Sequence, residues 1–188
     1  MDRMDLTDAA DETEAATAMD AATDAASSRA QLEKRALFES WMELALDEAG
    51  QSLEHGDVPV GAVVVRDPFG DPEVIAQRHN ERELTSDPTA HAELLALRDA
   101  SAALGRWRLD DCLLVVTLEP CPMCAGALWA SRIAGVVFGA VDMKAGATGS
   151  LYNLGSDARL NHEYSVTAGV LGDRCSTMLS SFFAELRA

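Results

Sequence analysis

Three short runs, residues 58–65 (VPVGAVVV), 113–118 (LLVVTL) and 136–140 (VVFGA), are rich in valine and carry no charge. Such runs predict strands buried in a sheet, and they alternate along the chain with segments whose apolar residues recur at helical spacing. The first of these segments spans residues 29–49, with Leu37, Trp41, Leu44 and Ala45 at helical intervals and Gly50 where a C-terminal cap would stand. Further helices are expected over residues 89–104 and 121–131, and a last one is marked by Cys175, Leu179, Phe182 and Leu186. Asp67-Pro68-Phe69-Gly70-Asp71-Pro72 has turn chemistry, which makes residues 73–77 the hairpin partner of the first strand; a weaker strand lies near residues 164–166. One opening hairpin followed by alternating strands and helices predicts a three-layer α/β domain, with a central mixed sheet of about five strands flanked by helices.

The 188 residues suffice for one domain with a sizeable core. With 48% hydrophobic and 24% charged residues, the composition excludes collagen-like, coiled-coil and wholly disordered constructions. The net charge of −16 argues against a broad nucleic-acid-binding surface and leaves room only for a local basic patch. Much of that charge is terminal: up to residue 24 there are eight acids against Arg3 alone, a net of −7. Residues 1–27 therefore read as a disordered acidic extension, and residues 28–188 as the domain. The N-terminus has no apolar signal region and no apolar run is long enough to span a bilayer, so a cytoplasmic protein with no membrane association is expected. In a reducing compartment a close cysteine pair holds metal or does chemistry.

Such a pair is present. Pro120-Cys121-Pro122-Met123-Cys124 opens one expected helix and His91-Ala92-Glu93 opens another. At a helix N-terminus the free N–H groups and the dipole favour anions, so thiolates three residues apart there are good zinc ligands, and Pro122 suits the first turn. His91, Cys121 and Cys124 supply three ligands, with no fourth Cys or His at finger-like spacing. A structural zinc site is closed by four protein ligands, whereas three leave a position for water and hydrolysis. Glu93, two residues from His91, is placed to carry protons between that water and a substrate. The H-x-E and P-C-x-x-C pairing is the signature of zinc nucleobase deaminases. Cys112 and Cys175 lack a motif and read as buried small apolar residues.

Beyond the zinc motifs, the chain resembles the bacterial tRNA-specific adenosine deaminases from about Glu39 to Phe183. The resemblance is carried by Val58-Pro59-Val60-Gly61-Ala62-Val63, Asn80, Asp87-Pro88-Thr89-Ala90-His91-Ala92-Glu93, residues 117–127 (TLEPCPMCAGA), Ser131-Arg132-Ile133, Val136-Val137-Phe138-Gly139-Ala140, Asp142, Lys144, Gly146, Gly149-Ser150-Leu151, Asn161-His162 and Phe182-Phe183. It implies a cytidine-deaminase-like fold and a homodimer with one zinc ion (Zn2+) per subunit. The activity implied is conversion of the wobble adenosine of a tRNA, chiefly an arginine tRNA, to inosine, with Glu93 moving the protons as water attacks C6. It also implies that Asn80 hydrogen-bonds the purine, that the backbone near Ala92 and Cys121 frames the base, and that Asp142, Lys144, Asn161 and His162 lie in loops facing RNA. From the residues alone, Asn80 could as well be a turn residue, and the Gly-rich segment after residue 141 a solvated connection. Two rivals stay open: a deaminase of free guanine or cytosine, which needs no RNA surface, and a non-catalytic zinc module, which predicts a fourth protein ligand and leaves Glu93 without a role.

Overall fold

The structure, a computed structural model, describes residues 8–187. The chain divides at Leu37/Phe38 into two compact units. α1 (Asp8–Gln51) begins within the first; of the acidic extension expected over residues 1–27, residues 1–7 lie outside the described residues. The stretch that follows is rich in alanine and contains no Gly or Pro before Gly50, a composition that favours helix. Residues 25–37 are exposed throughout.

The second unit is a five-stranded sheet between two helical layers. Its strands are β1 (Gly61–Arg66), β2 (Glu73–His79), β3 (Cys112–Leu118), β4 (Gly135–Ala140) and β5 (Ser165–Ala168), in the order β2-β1-β3-β4-β5. β1 is antiparallel to both β2 and β3, while β3, β4 and β5 run parallel. The helices are the end of α1, the single turn α2 (Arg82–Thr85), α3 (Ala92–Leu104), α4 (Pro122–Ser131) and α5 (Gly172–Glu185). This is the mixed, helix-flanked sheet that the alternating pattern requires.

The uniform hydrophobicity of the central strands follows from burial on both faces. Ala62, Val64, Leu114, Val116, Val136 and Phe138 point to the side where Ala96, Leu97 and Ala100 of α3 and Leu128 of α4 pack. Val63, Val65, Leu113, Val115 and Val137 meet Phe38, Trp41, Met42, Ala45 and Leu46 of α1 and Cys175 of α5 on the other. The α1 stripe is thus built on Phe38, Trp41 and Ala45, and Leu37 is not part of it. Gly50 lies within α1; the left-handed cap comes after a 3-10 turn, at Gly56 (φ 77). Gly61 is where α1 crosses β1, and a Cβ there would lie 2.0 Å from Ala45 O. Among the described residues no helix is long and apolar enough to cross a membrane.

Candidate active site

β3 feeds α4 at the C-terminal end of the sheet's parallel part, and α3 starts beside it. His91 is the N-cap of α3 and Cys121 the N-cap of α4, both with extended backbone, and Pro122 occupies the first turn. Before α3 the chain uses a side-chain turn, with Asp87 Oδ1 accepting from Thr89 N (2.8 Å) and Thr89 Oγ1 (2.7 Å), so the helix begins at Ala92 and not at residue 89. His91 Nδ1 lies 3.9 Å from Cys121 Sγ and 3.6 Å from Cys124 Sγ, and the two sulfurs are 3.6 Å apart. A tetrahedral zinc ion, with bonds of about 2.3 Å to sulfur and about 2.0 Å to nitrogen, separates its donors by about 3.5–3.8 Å. The three side chains therefore form one face of a tetrahedron sized for zinc, and no fourth Cys, His or carboxylate joins the group among the described residues.

The protons are distributed accordingly. The hydrogen bond from the Cys124 thiol, with help from His91, draws Cys121 down to about 4. The neighbouring thiolate and burial push Cys124 up. A divalent cation in the same place removes the second proton as well. Cys112 and Cys175 are core residues, raised by burial to about 12 and about 11. Glu93, in the first turn of α3, is 3% exposed, and its Oε2 has no hydrogen-bond partner. Burial pushes its carboxyl above the ordinary value.

A family model described as the cytidine and deoxycytidylate deaminase zinc-binding region matches residues 36–140. The chain belongs to that family. It is 50% identical to the tRNA-specific adenosine deaminase of Bacillus subtilis (strain 168) over 149 residues, 79% of this chain and 90% of that protein. A solved structure from work on A-to-I editing by tRNA:A34 deaminases at the wobble position of transfer RNA matches with TM-score 0.68 and 41% identity, over 73% of this chain and 96% of that one. A guanine deaminase from Nitrosomonas europaea shares the fold at TM-score 0.67 but is 26% identical, over 78% of this chain and 84% of that one.

In this deaminase His91, Cys121 and Glu93 open into a cavity of about 160 Å³, walled by Val58, Val60, Leu118 and Ala145 and edged by Asn80, Arg82 and Asp142, with Cys124 buried behind it. Asn80 is 4% exposed. Its Nδ2 donates to Val58 O (3.0 Å) and its Oδ1 accepts from Ala92 N (2.9 Å), which ties β2 to the start of α3 and leaves one N–H and one lone pair at the cavity. Asp142 turns its carboxylate inward to accept from Lys144 N (2.8 Å) and Ala145 N (3.1 Å); Lys144 is exposed. Asn161 and His162 are elsewhere. Asn161 Oδ1 accepts from Arg132 (2.7 Å), and His162 Nε2 lies 2.8 Å from Ile133 O. Both of those partners precede β4, at the end of the sheet opposite Cys121, and a seven-residue strand such as β3 spans roughly 20 Å.

Glu119 carries more of the site than its place in the motif suggests. It is 1% exposed and accepts from the backbone N–H of Asp142 (3.0 Å), Thr148 (3.3 Å) and Ser150 (3.0 Å), and from the Ser150 hydroxyl. A Cβ on Gly146 would lie 2.4 Å from this carboxylate, so only glycine lets the loop pass so closely. Against burial, which raises it, the donors of Ser150 hold Glu119 below the usual carboxylate range. Two residues before Cys121, Glu119 bolts the loop edging the cavity to the turn that carries the sulfurs. A lone glutamate in a turn announces none of this.

Proposed function

We propose that this chain is a hydrolytic deaminase of the wobble adenosine of tRNA, with His91, Cys121 and Cys124 holding one zinc ion and Glu93 moving the protons. The single observation that carries the chemistry is Glu93 Oε2, a buried carboxylate oxygen without a partner beside three donors spaced for zinc. Bound there, the metal supplies Lewis acidity toward a water molecule. Glu93 takes one proton from the attacking water and delivers it to N1 of the purine, then takes the second from the hydroxyl now on C6 and passes it to the amine, so that the C6–N bond breaks, ammonia leaves and the C6 carbonyl forms. A carboxyl raised by burial is a better proton acceptor than an ordinary carboxylate, which suits the first of these transfers. Asn80 offers its remaining N–H to the base, and the Ala92 N–H, donated to Asn80 Oδ1, holds that amide in place. The unstacked bases of an anticodon loop enter such a cavity at lower cost than bases in a duplex.

The substrate reading is supported by 50% identity to a tRNA-specific adenosine deaminase, against 26% to a guanine deaminase of the same fold. Asp142 and Lys144 contribute from the loop bolted by Glu119, and Asn161 and His162 act outside the base cavity. The protein works in the cytoplasm as a homodimer, for which the apolar groove between α3 and α4, lined by Leu94, Leu97, Trp107 and Ala127, is the face at hand. Purified protein incubated with an arginine-tRNA anticodon stem-loop, in parallel with free adenosine, guanine and cytosine, tests the substrate, and light scattering on the same sample tests the dimer. Inosine in the stem-loop at a rate far above free adenosine is expected. Turnover of guanine or cytosine without RNA turnover overturns the reading.

A further inference from the structure

In a chain with 31 acidic and 15 basic residues, many cations lie against a carboxylate, among them Arg66, Arg78, Arg106, Arg108, Arg159 and Arg174. Arg82, like Arg98 and Arg132, has no carboxylate partner among the described residues, and of these three it alone lines the active-site cavity. It is half-buried at the edge of the active-site cavity, beside Asn80 and His91, and its side chain makes no hydrogen bond or ion pair with any described residue. The carboxylates of the cavity wall are committed elsewhere: Glu119 to the donors of its loop, Asp142 to Lys144 N and Ala145 N, and Glu93 to the reacting end. Nearby Glu81 is taken by Arg78 at 2.7 Å.

Arg82 is also held in place. Buried Asp57 accepts from Glu83 N (2.9 Å) and lies 3.0 Å from His55 Nδ1, which fixes the backbone of α2 to the loop between the 3-10 turn and β1. Glu81 N donates to Ala90 O (2.9 Å), fixing the other side of the turn to the approach of α3. An unpaired guanidinium on an anchored turn, presenting a planar fork of donors at a cavity mouth, is preorganised for an oxyanion.

We propose that Arg82 binds a backbone phosphate next to the nucleotide whose base fills the cavity, and thereby makes the site select a base carried on a strand over a free base or nucleoside. This rests on the deaminase reading above and names what in the cavity rim enforces its polynucleotide substrate. A free base has no phosphate and gains nothing from Arg82. The arrangement also answers the problem set by a net charge of −16: long-range repulsion of RNA is screened within about 8 Å at physiological salt, while a contact pair survives.

The test compares zinc-loaded wild type, R82A and R82K on anticodon stem-loops, including a set in which single phosphates around the target adenosine are replaced by neutral methylphosphonates. R82A is expected to raise KM for the unmodified stem-loop about tenfold or more, with kcat changing far less and R82K recovering part of the loss. The slope of log KM against log salt should flatten by about 0.7, the value for one single-strand phosphate contact. At one linkage the methylphosphonate should weaken wild type as much as R82A does and weaken R82A no further. An unchanged KM in R82A, or losses that add at every linkage, overturns the proposal. A fall in kcat at constant KM does so too, by placing Arg82 in the chemistry. If wild type itself leaves RNA untouched, the tRNA reading falls first, and that result is seen before any variant is made.

Discussion

Glu93 is the residue on which chemistry and stability make opposite demands. A buried carboxyl oxygen that meets no protein donor among the described residues costs desolvation energy that protein contacts do not offset, and its place beside the zinc donors suits the chemistry. Glu93→Ala is expected to leave zinc content unchanged and thermal stability equal or slightly higher, because it removes an unsatisfied group and no ligand. Deamination should fall at least a hundredfold to ten-thousandfold, the usual span for a lost general acid–base, since Glu93 handles more than one proton. Elemental analysis, a melting curve and chromatography of inosine on one preparation check all three. Near-normal turnover would remove Glu93 from the mechanism.

At the scale of elements, the close contact of α1 with β1 has a single permissive point. A Cβ on Gly61 would lie 2.0 Å from Ala45 O and 2.5 Å from Ala49 N, and both are backbone atoms of a helix that cannot give locally. Gly61→Ala should therefore push α1 off the sheet and cost roughly 3 kcal/mol or prevent folding. Gly50, with nothing within 4 Å of its would-be Cβ and a place inside α1, is the control. Gly50→Ala should be neutral or stabilise by up to about 1 kcal/mol through helix propensity. Denaturant midpoints of the two variants test the pair, and equal effects would mean that the packing of α1 on β1 is looser than these distances require.

For the molecule as a whole, the dominant property is its negative charge. Deleting residues 1–26 removes a net −7 and takes the formal charge from −16 to −9. Residues 25–37 are exposed and the buried stripe of α1 starts at Phe38, so the deletion should leave folding, zinc content and deamination intact. Binding of the anticodon stem-loop should tighten modestly at low salt, and the gain should vanish as the Debye length contracts to about 8 Å. Fluorescence anisotropy of both proteins across a salt series is the measurement. Weaker binding after truncation would show that the segment docks on the RNA or on the domain.

The sequence by itself determined the elements and the reactive groups. Val63, Val64, Leu114, Val115, Val136 and Val137 alternate between the two core faces, so strands buried on both sides are written as unbroken apolar runs. The pairs His91/Glu93 and Cys121/Cys124 are legible because their members lie within one helical turn of each other, where covalent spacing alone sets their geometry. Contacts between distant segments have no such local signature. The strand order, the meeting of His91 with Cys121 across 30 residues, and the anchoring of the Ser150 loop by Glu119 across 31 residues were decided by packing alone. So was the pairing of Asn161 with Arg132 and of His162 with Ile133 O, across 29 residues each. α2, one turn long, is too short for periodicity to reveal. The charge left on Arg82 is an absence of partners among the described residues, and an absence exists only once the other residues have taken their places.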